Sequence, residues 1–197
     1  MNLKDIPWPN LSHDLLKLGD DWTNFAQLDF PADREVIYSE GYKEAANLIA
    51  SHLQADRMKI DLLIYPLVFL YRHHVELSLK SIIISGNKLL DRQNQNLHHH
   101  KIDVLWIEVK DIITEIWSDH SDDIDAVENI ISQLASIDPG SFSFRYHEDK
   151  IGNSTISALK SLDINNFKIV MDSLSNFLGG VSDAISDYLD TNENFSP

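Results

Sequence analysis

The chain has 197 residues, of which 43% are hydrophobic, enough for one well-cored domain and too few for two ordinary ones. Thirty-one acidic residues against sixteen Lys and Arg give a net charge of -15, which argues against broad electrostatic binding to nucleic acid or anionic membrane. The absence of Cys excludes disulfides, iron–sulfur clusters and thiolate zinc sites, and it is compatible with a reducing cytosol.

The sequence predicts a cytoplasmic protein with no membrane partner. Its N-terminus lacks a basic flank followed by an apolar core, so we expect no signal peptide. The longest apolar run, Ile60–Tyr71, contains Asp61 and ends at Arg72, which makes it too short to span a bilayer.

Residues 1–33 form an N-terminal arm rich in proline and aromatic residues. Proline breaks regular structure, while large aromatic side chains are good apolar anchors. We therefore expect the arm to pack on a helical domain formed by residues 34–197, with a disordered tail as the alternative. The residues behind this expectation are Pro7, Pro9, Pro31, Trp8, Trp22, Phe25 and Phe30.

The first helix is predicted to follow Pro31, with Asp33 as its N-cap, and to run to about Gln54. Its apolar residues recur at three- and four-residue steps, which indicates a stripe that needs a partner helix. The stripe comprises Val36, Ile37, Tyr42, Ala45, Leu48, Ile49 and Leu53.

The second helix is expected to start between Asp56 and Asp61 and to end near Gly86, a suitable residue just past a helix end. Pro66 lies inside this pattern and removes a backbone hydrogen bond. A kink, or a break near Tyr65, is therefore predicted.

A polar loop, Leu89–Lys101, should lead to a third helix over Ile102–Trp117, whose apolar residues have helical spacing. Ser121 is expected to cap a fourth helix that ends at Ile137. The Asp-Pro-Gly sequence that starts at Asp138 then stops it.

The segment Ser141–Thr155 alternates aromatic and polar residues, which is typical of a short strand or hairpin arm, and equally of a structured loop. A brief element over Ile156–Leu162 and a last helix capped by Asp163 are expected to follow, with a kink or split at Gly179-Gly180. Because neither repeats nor a β-rich region occur, the predicted fold class is all-α.

Charged residues stand inside the apolar second helix, where unpaired charges cost several kcal/mol. Arg72, Glu76 and Lys80 follow one another at four-residue steps and so share one face, with His73 beside them. One interpretation is an ion-pair ladder without chemistry. The other is a functional site, since the apolar neighbours leave little of this helix for solvent.

Other His and Arg residues admit two interpretations each. His98, His99 and His100 suit a solvated loop better than a metal site, although His100 could also cap the third helix or point into the site. Arg145 could clamp an anion or tie its loop to acidic helix ends. No metal or cofactor is predicted.

Three segments carry a family resemblance. Arg72–Asn87, with its R-H-x-x-E-L-x-L-K pattern, and His100–Trp106, which is similar to H-D-L-x-x-L-W with Lys101 in place of Asp, resemble the HEPN superfamily of small α-helical domains. Ser141–Gly152 adds an F-R-Y match to a subset of that group.

The resemblance implies an antiparallel bundle of four or five helices, commonly dimeric. In active members it implies metal-independent RNA cleavage through an R-x4–6-H motif, often in defence or toxin–antitoxin systems with an antitoxin or other protein partner. Here the only such spacing joins Arg92 to His98 or His99, in the polar loop, whereas catalysis needs rigidly held groups.

We therefore expect a different set of residues to act if the chain is a ribonuclease. Arg72, Arg145 and Lys80 would bind phosphate, while His73, or His100 as the second candidate, would transfer the proton. Glu76 would orient one of them. The alternative is a non-catalytic binding or dimerisation module in which this cluster is structural or holds a small ligand.

Overall fold

The computed structural model describes residues 8–28, 34–93, 96–118, 121–156 and 159–195, and for residues 193–195 it describes the backbone only. Within this part of the chain the fold is all-α, as predicted. The α-helices are α1 (Arg34–Ala55), α2 (Ile60–Leu89), α3 (Ile102–Ile116), α4 (Asp122–Ile137) and α5 (Ile164–Phe195).

The chain divides into two compact units, Met1–Ala32 and Asp33–Pro197. In the first unit a three-residue 3-10 helix, Trp22–Asn24, is capped by Asp21, whose Oδ1 accepts a hydrogen bond from the Thr23 amide at 3.1 Å. The predicted packing of the arm on the helical unit stays a prediction, and the expected Asp33 cap lies outside the described residues.

Helix α1 packs on α2 through a face that matches the predicted stripe only in part, since Leu53 is buried as expected. Val36, Ile37 and Leu48 of the expected stripe are 45%, 45% and 65% exposed. The buried residues of α1 are instead mostly small, because the helix lies close to the long apolar α2 and small side chains permit that approach. They are Ser39, Ala46, Ala50 and Leu53.

Helix α2 is the central element of the helical unit and contacts α1, α3 and α5. It runs without a break through Pro66, so the predicted break near Tyr65 is wrong. Gly86 does not end the helix either. It is buried inside α2, where a Cβ would lie only 2.5 Å from Ile112 Cγ2, so the glycine allows α3 to approach.

Helices α3 and α4 confirm the predicted elements closely. α3 buries Ile102, Leu105, Trp106, Val109, Ile112 and Ile113 along one face. Ser121 is the N-cap residue of α4, but its side chain makes no capping hydrogen bond. The helix begins with the acidic residues Asp122, Asp123 and Asp125, which suit the positive end of its dipole.

The connection to α5 is a structured loop, with an isolated antiparallel bridge between Glu148 and Ser154 in its described part. The predicted Asp163 cap is confirmed, because its Oδ1 accepts from the amides of Asn165 at 2.9 Å and Asn166 at 3.1 Å. The expected split at Gly179-Gly180 is wrong, since α5 passes through both glycines.

Among the described residues, none of the helices combines the length and the apolar character that crossing a membrane requires.

We expect Gly86→Ala to lower the free energy of unfolding by about 1–2 kcal/mol, because the overlap with the branched Ile112 side chain outweighs the gain in helix propensity. The matched control is Gly41→Ala in α1, where a Cβ meets nothing within 4 Å and stability should rise by about 0.5–1 kcal/mol. Chemical denaturation followed by circular dichroism measures both. Equal changes would contradict the close approach of α2 and α3.

Candidate functional site

The charged face of α2 forms a buried ion cluster. Arg72 and Glu76 lie one turn apart, and their side chains are 0% and 1% exposed. Arg72 Nη1 donates to Glu76 Oε2 at 2.6 Å, and Lys80 Nζ donates to Glu76 Oε1 at 2.8 Å. The helix thus places these three side chains along one face, as predicted.

Glu76 is the centre of this cluster, because His100 reaches the same carboxylate. His100 Nδ1 lies 2.7 Å from Glu76 Oε1, the oxygen that also binds Lys80. Burial alone would raise the pKa of Glu76, but hydrogen bonds from Lys80, His100 and Arg72 lower it to about 2. Glu76 is therefore an anion at neutral pH.

Arg72 connects two distant loops to α2. Its Nη2 donates to the backbone oxygen of His100, in the loop before α3. Its Nε donates to the backbone oxygen of Asp138 at 3.4 Å and lies 3.6 Å from Asp138 Oδ2. Each of the three nitrogens of the Arg72 guanidinium thus has an acceptor inside the protein.

Asp138 is the member of the cluster that sequence reasoning missed. It is completely buried just after α4, and its Oδ1 accepts from the amides of Phe142 at 2.6 Å and Ser143 at 2.9 Å. The Asp-Pro-Gly sequence by itself predicts only that the helix stops there. The available signal was that an Asp in such a turn often caps the backbone that follows it.

His100 faces Glu76 on one edge and solvent on the other. Since an ionised carboxylate only accepts hydrogen bonds, a neutral His100 must carry its proton on Nδ1, which leaves Nε2 as the basic atom. The side chain is 54% exposed, so a large part of the ring is in contact with solvent. A carboxylate that orients a histidine in this way is a common arrangement for acid–base chemistry.

His73 does not join this cluster through a hydrogen bond in the described part of the chain. Its ring stacks on Phe69 at 5.7 Å and meets the Tyr42 ring edge-on at 4.4 Å. Its Nδ1 is buried without a hydrogen-bond partner among the described residues. Burial is the largest effect on the pKa of His73 and lowers it. The charge of Glu76 raises this pKa by less, and the charge of Arg72 lowers it further.

Arg145 lies on the His73 side of the site. Its guanidinium is 5.5 Å from the centre of the Phe69 ring and 5.6 Å from that of Tyr146, and its Nε donates to the Ser141 backbone oxygen at 2.6 Å. Phe69 therefore joins Arg145 to His73, whereas Arg72, Glu76, Lys80 and His100 form the second group. The exposed position of Arg145 leaves it open to an anion.

The R-x4–6-H spacing corresponds to no contact within the described residues. Arg92 pairs with Asp111 at 2.8 Å and with Glu115, both on α3. In the loop, the His98 amide donates to Asn96 Oδ1 at 2.9 Å, and the Lys101 amide donates to His99 Nδ1 at 3.3 Å. These contacts organise the loop that carries His100.

No protein-family model, no curated protein and no solved structure matches the chain. In the described residues, no group of three or more His, Asp or Glu side chains is close enough to hold a metal ion.

We expect Arg72→Leu to lower the free energy of unfolding by about 3–5 kcal/mol, because Glu76 and Asp138 lose the cation that compensates their burial. The matched control is Arg92→Leu, which removes two exposed ion pairs, to Asp111 and Glu115, and should cost far less than Arg72→Leu because solvent screens them. Urea denaturation gives both values. Similar losses in the two variants would contradict the stabilising role of the buried guanidinium.

The pKa of Glu76 predicts a loss of stability in acid. A carboxyl whose pKa falls from 4.5 to about 2 on folding adds stability above pH 4.5, and loses it as the pH falls toward 2. Between pH 5 and pH 2 the wild type should lose roughly 3 kcal/mol more than Glu76→Gln, which lacks the titrating group. Denaturation at a series of pH values tests this, and parallel curves would contradict it.

Proposed function

We propose that the chain is a HEPN-like helical bundle domain that cleaves RNA without a metal ion, with His100 as the group that transfers the proton. The observation that carries this proposal is the Glu76–His100 pair, in which a buried carboxylate orients a half-exposed imidazole at 2.7 Å. Among the histidines that the sequence offered, His100 supports the role better than His73, whose ring is packed between Phe69 and Tyr42.

The proposed reaction uses the two groups that share Glu76 Oε1. His100 Nε2 takes the proton of a ribose 2′-hydroxyl as its oxygen attacks the adjacent phosphorus. The bond from phosphorus to the 5′-oxygen then breaks, and that oxygen takes the proton that His100 Nε2 now carries, which leaves a 2′,3′-cyclic phosphate and restores the neutral ring. Lys80 lies beside His100 on the same carboxylate oxygen, where its charge would stabilise the phosphate in the transition state.

Arg72 has a positioning role in this proposal. Its guanidinium has no exposed surface, so it does not reach a bound phosphate in this conformation, but it holds the His100 backbone through Nη2. The exposed Arg145 remains the second candidate for contact with RNA. In this proposal Arg72 positions His100 and does not bind phosphate, and His73 packs against its aromatic neighbours and does not transfer the proton.

The biological setting follows from the resemblance alone. We extend the proposal to a homodimer in the cytoplasm, in a bacterial defence or toxin–antitoxin system, with RNA as substrate and an antitoxin or another protein as partner. The net charge of -15 means that RNA would have to bind at a local basic surface against the overall field.

The second candidate function is a non-catalytic binding or dimerisation module. The full burial of Arg72 and its bonds to Glu76, His100 and Asp138 favour this alternative, because a closed and paired cluster needs no substrate to be satisfied. The net acidity of the chain favours it as well.

Incubation of the purified chain with a panel of single-stranded and structured RNAs, in the presence of a chelator, distinguishes the two proposed functions. We expect cleavage that His100→Ala reduces by about 10²–10⁴-fold, the usual contribution of a general acid or base. His98→Ala is the matched control, because His98 is an exposed histidine of the same loop outside the cluster.

Other outcomes of this experiment are equally informative. If none of the RNAs is cut with or without chelator, the binding module is the better description. If His73→Ala abolishes cleavage while His100→Ala does not, the Glu76–His100 pair is not the catalytic group. Glu76→Gln should reduce the rate of cleavage as His100→Ala does, because the neutral amide lacks the negative charge with which the Glu76 carboxylate supports the imidazole.

A further inference from the structure

A second polar cluster lies where α1, α2 and α5 meet, away from the Glu76 contacts. Its centre is His74 of α2, which is 2% exposed and hydrogen-bonded at both ring nitrogens. His74 Nδ1 lies 2.9 Å from Ser39 Oγ and 3.1 Å from the Ser39 backbone oxygen, while Nε2 lies 3.0 Å from Ser175 Oγ. Three helices thus each supply one member.

These contacts fix the tautomer of His74. The Ser39 backbone oxygen can only accept a hydrogen bond, so Nδ1 must carry the proton of the neutral ring. Nε2 is then an acceptor, and the hydroxyl of Ser175 is its donor. Burial lowers the pKa of His74, which keeps the ring neutral and able to accept that proton near neutral pH.

The cluster lines a cavity of about 320 Å³ between the three helices. The wall includes Ser39, His74 and Ser175, and also Lys43 of α1 and Gly179 of α5. Gly179 lies one turn after Ser175, and a Cβ there would meet nothing within 4 Å, so this part of the wall is open. A molecule of a few carbon atoms fits a cavity of this size.

Lys43 supplies a positive charge to the same cavity. Its Nζ is paired with Glu40 Oε2 at 3.1 Å, and the side chain is 29% exposed. Glu40 and Asp183 place two carboxylates in the same wall, so the cavity does not favour an anionic ligand. The cavity therefore brings together a hydroxyl bonded to a neutral histidine, a backbone oxygen that orients the ring, and a cation.

We propose that this cavity is an acyl-transfer site for small uncharged esters, with Ser175 as nucleophile, His74 as general base and Lys43 as the stabiliser of the oxyanion. The site is independent of the proposed RNA cleavage, because it shares none of the residues assigned to that reaction.

The reaction balances with the groups present. Ser175 Oγ forms a bond to the acyl carbon while its proton passes to His74 Nε2, and the negative charge develops on the carbonyl oxygen beside Lys43. The ester C–O bond then breaks, and the leaving alcohol takes the proton from His74. Water, with His74 again as base, releases the acid and restores Ser175.

The test uses the full chain and a small alkyl fluorophosphonate, which reacts with activated serine hydroxyls. Ser175 Oγ displaces fluoride from phosphorus and its proton leaves through His74, so the adduct is stable and can be located by peptide mass spectrometry. We expect one adduct on Ser175, none in Ser175→Ala, and labelling about 10²–10⁴-fold slower in His74→Gln. Ser182→Ala is the matched control, a serine of the same helix and cavity.

A pocket-blocking variant separates chemistry from a purely structural network. Gly179→Leu fills the cavity without altering Ser39, His74 or Ser175, so labelling should slow while the circular dichroism spectrum stays unchanged. Absence of an adduct on Ser175 in the wild type overturns the proposal, as does unchanged labelling in Gly179→Leu. If His74→Gln does not fold, these two results decide the question alone.

Discussion

The buried pair of Arg72 and Glu76 is the interaction on which the helical unit depends. Taking two charges out of water is unfavourable unless each is fully hydrogen-bonded, and here the remaining partners come from Lys80, His100 and Asp138. A buried ion cluster can often be replaced by apolar residues without loss of stability. Removing a single partner, in contrast, leaves an uncompensated buried charge, so the helical unit depends on all members of the cluster being present together.

Helix α2 also relates the two polar clusters to each other. Residues two apart in a helix point about 200° away from one another, so His74 lies on nearly the opposite side of α2 from Arg72 and Glu76. The first cluster is enclosed by the loops before α3 and after α4, and the second by α1 and α5. One rigid helix thus fixes the positions of both sets of side chains.

Much of the fold could be predicted from local sequence patterns. The expectations that were wrong concern packing between segments that are distant in sequence. The helices α3 and α4 and the Asp163 cap could be predicted because apolar spacing and capping residues act locally. The inward face of α1 could not, since it depends on the distance to α2, and Gly86 looked like a helix end because its partner Ile112 is distant in sequence. The four-residue steps placed Arg72, Glu76 and Lys80 together, but Asp138 joins them only through tertiary structure.

Pro66 divides the hydrogen bonding of α2 even though the helix continues through it. Because proline has no N–H, the backbone oxygen of Leu62 lacks its usual partner, and the exposed side chain of Leu62 shows that this turn lies at the surface. The first turns of α2 are therefore joined to the rest of the helix by one backbone hydrogen bond fewer than an uninterrupted helix would have. Tyr65, directly before the proline, lines a groove with Phe144, so the least tightly bonded part of α2 borders this groove and not the ion cluster.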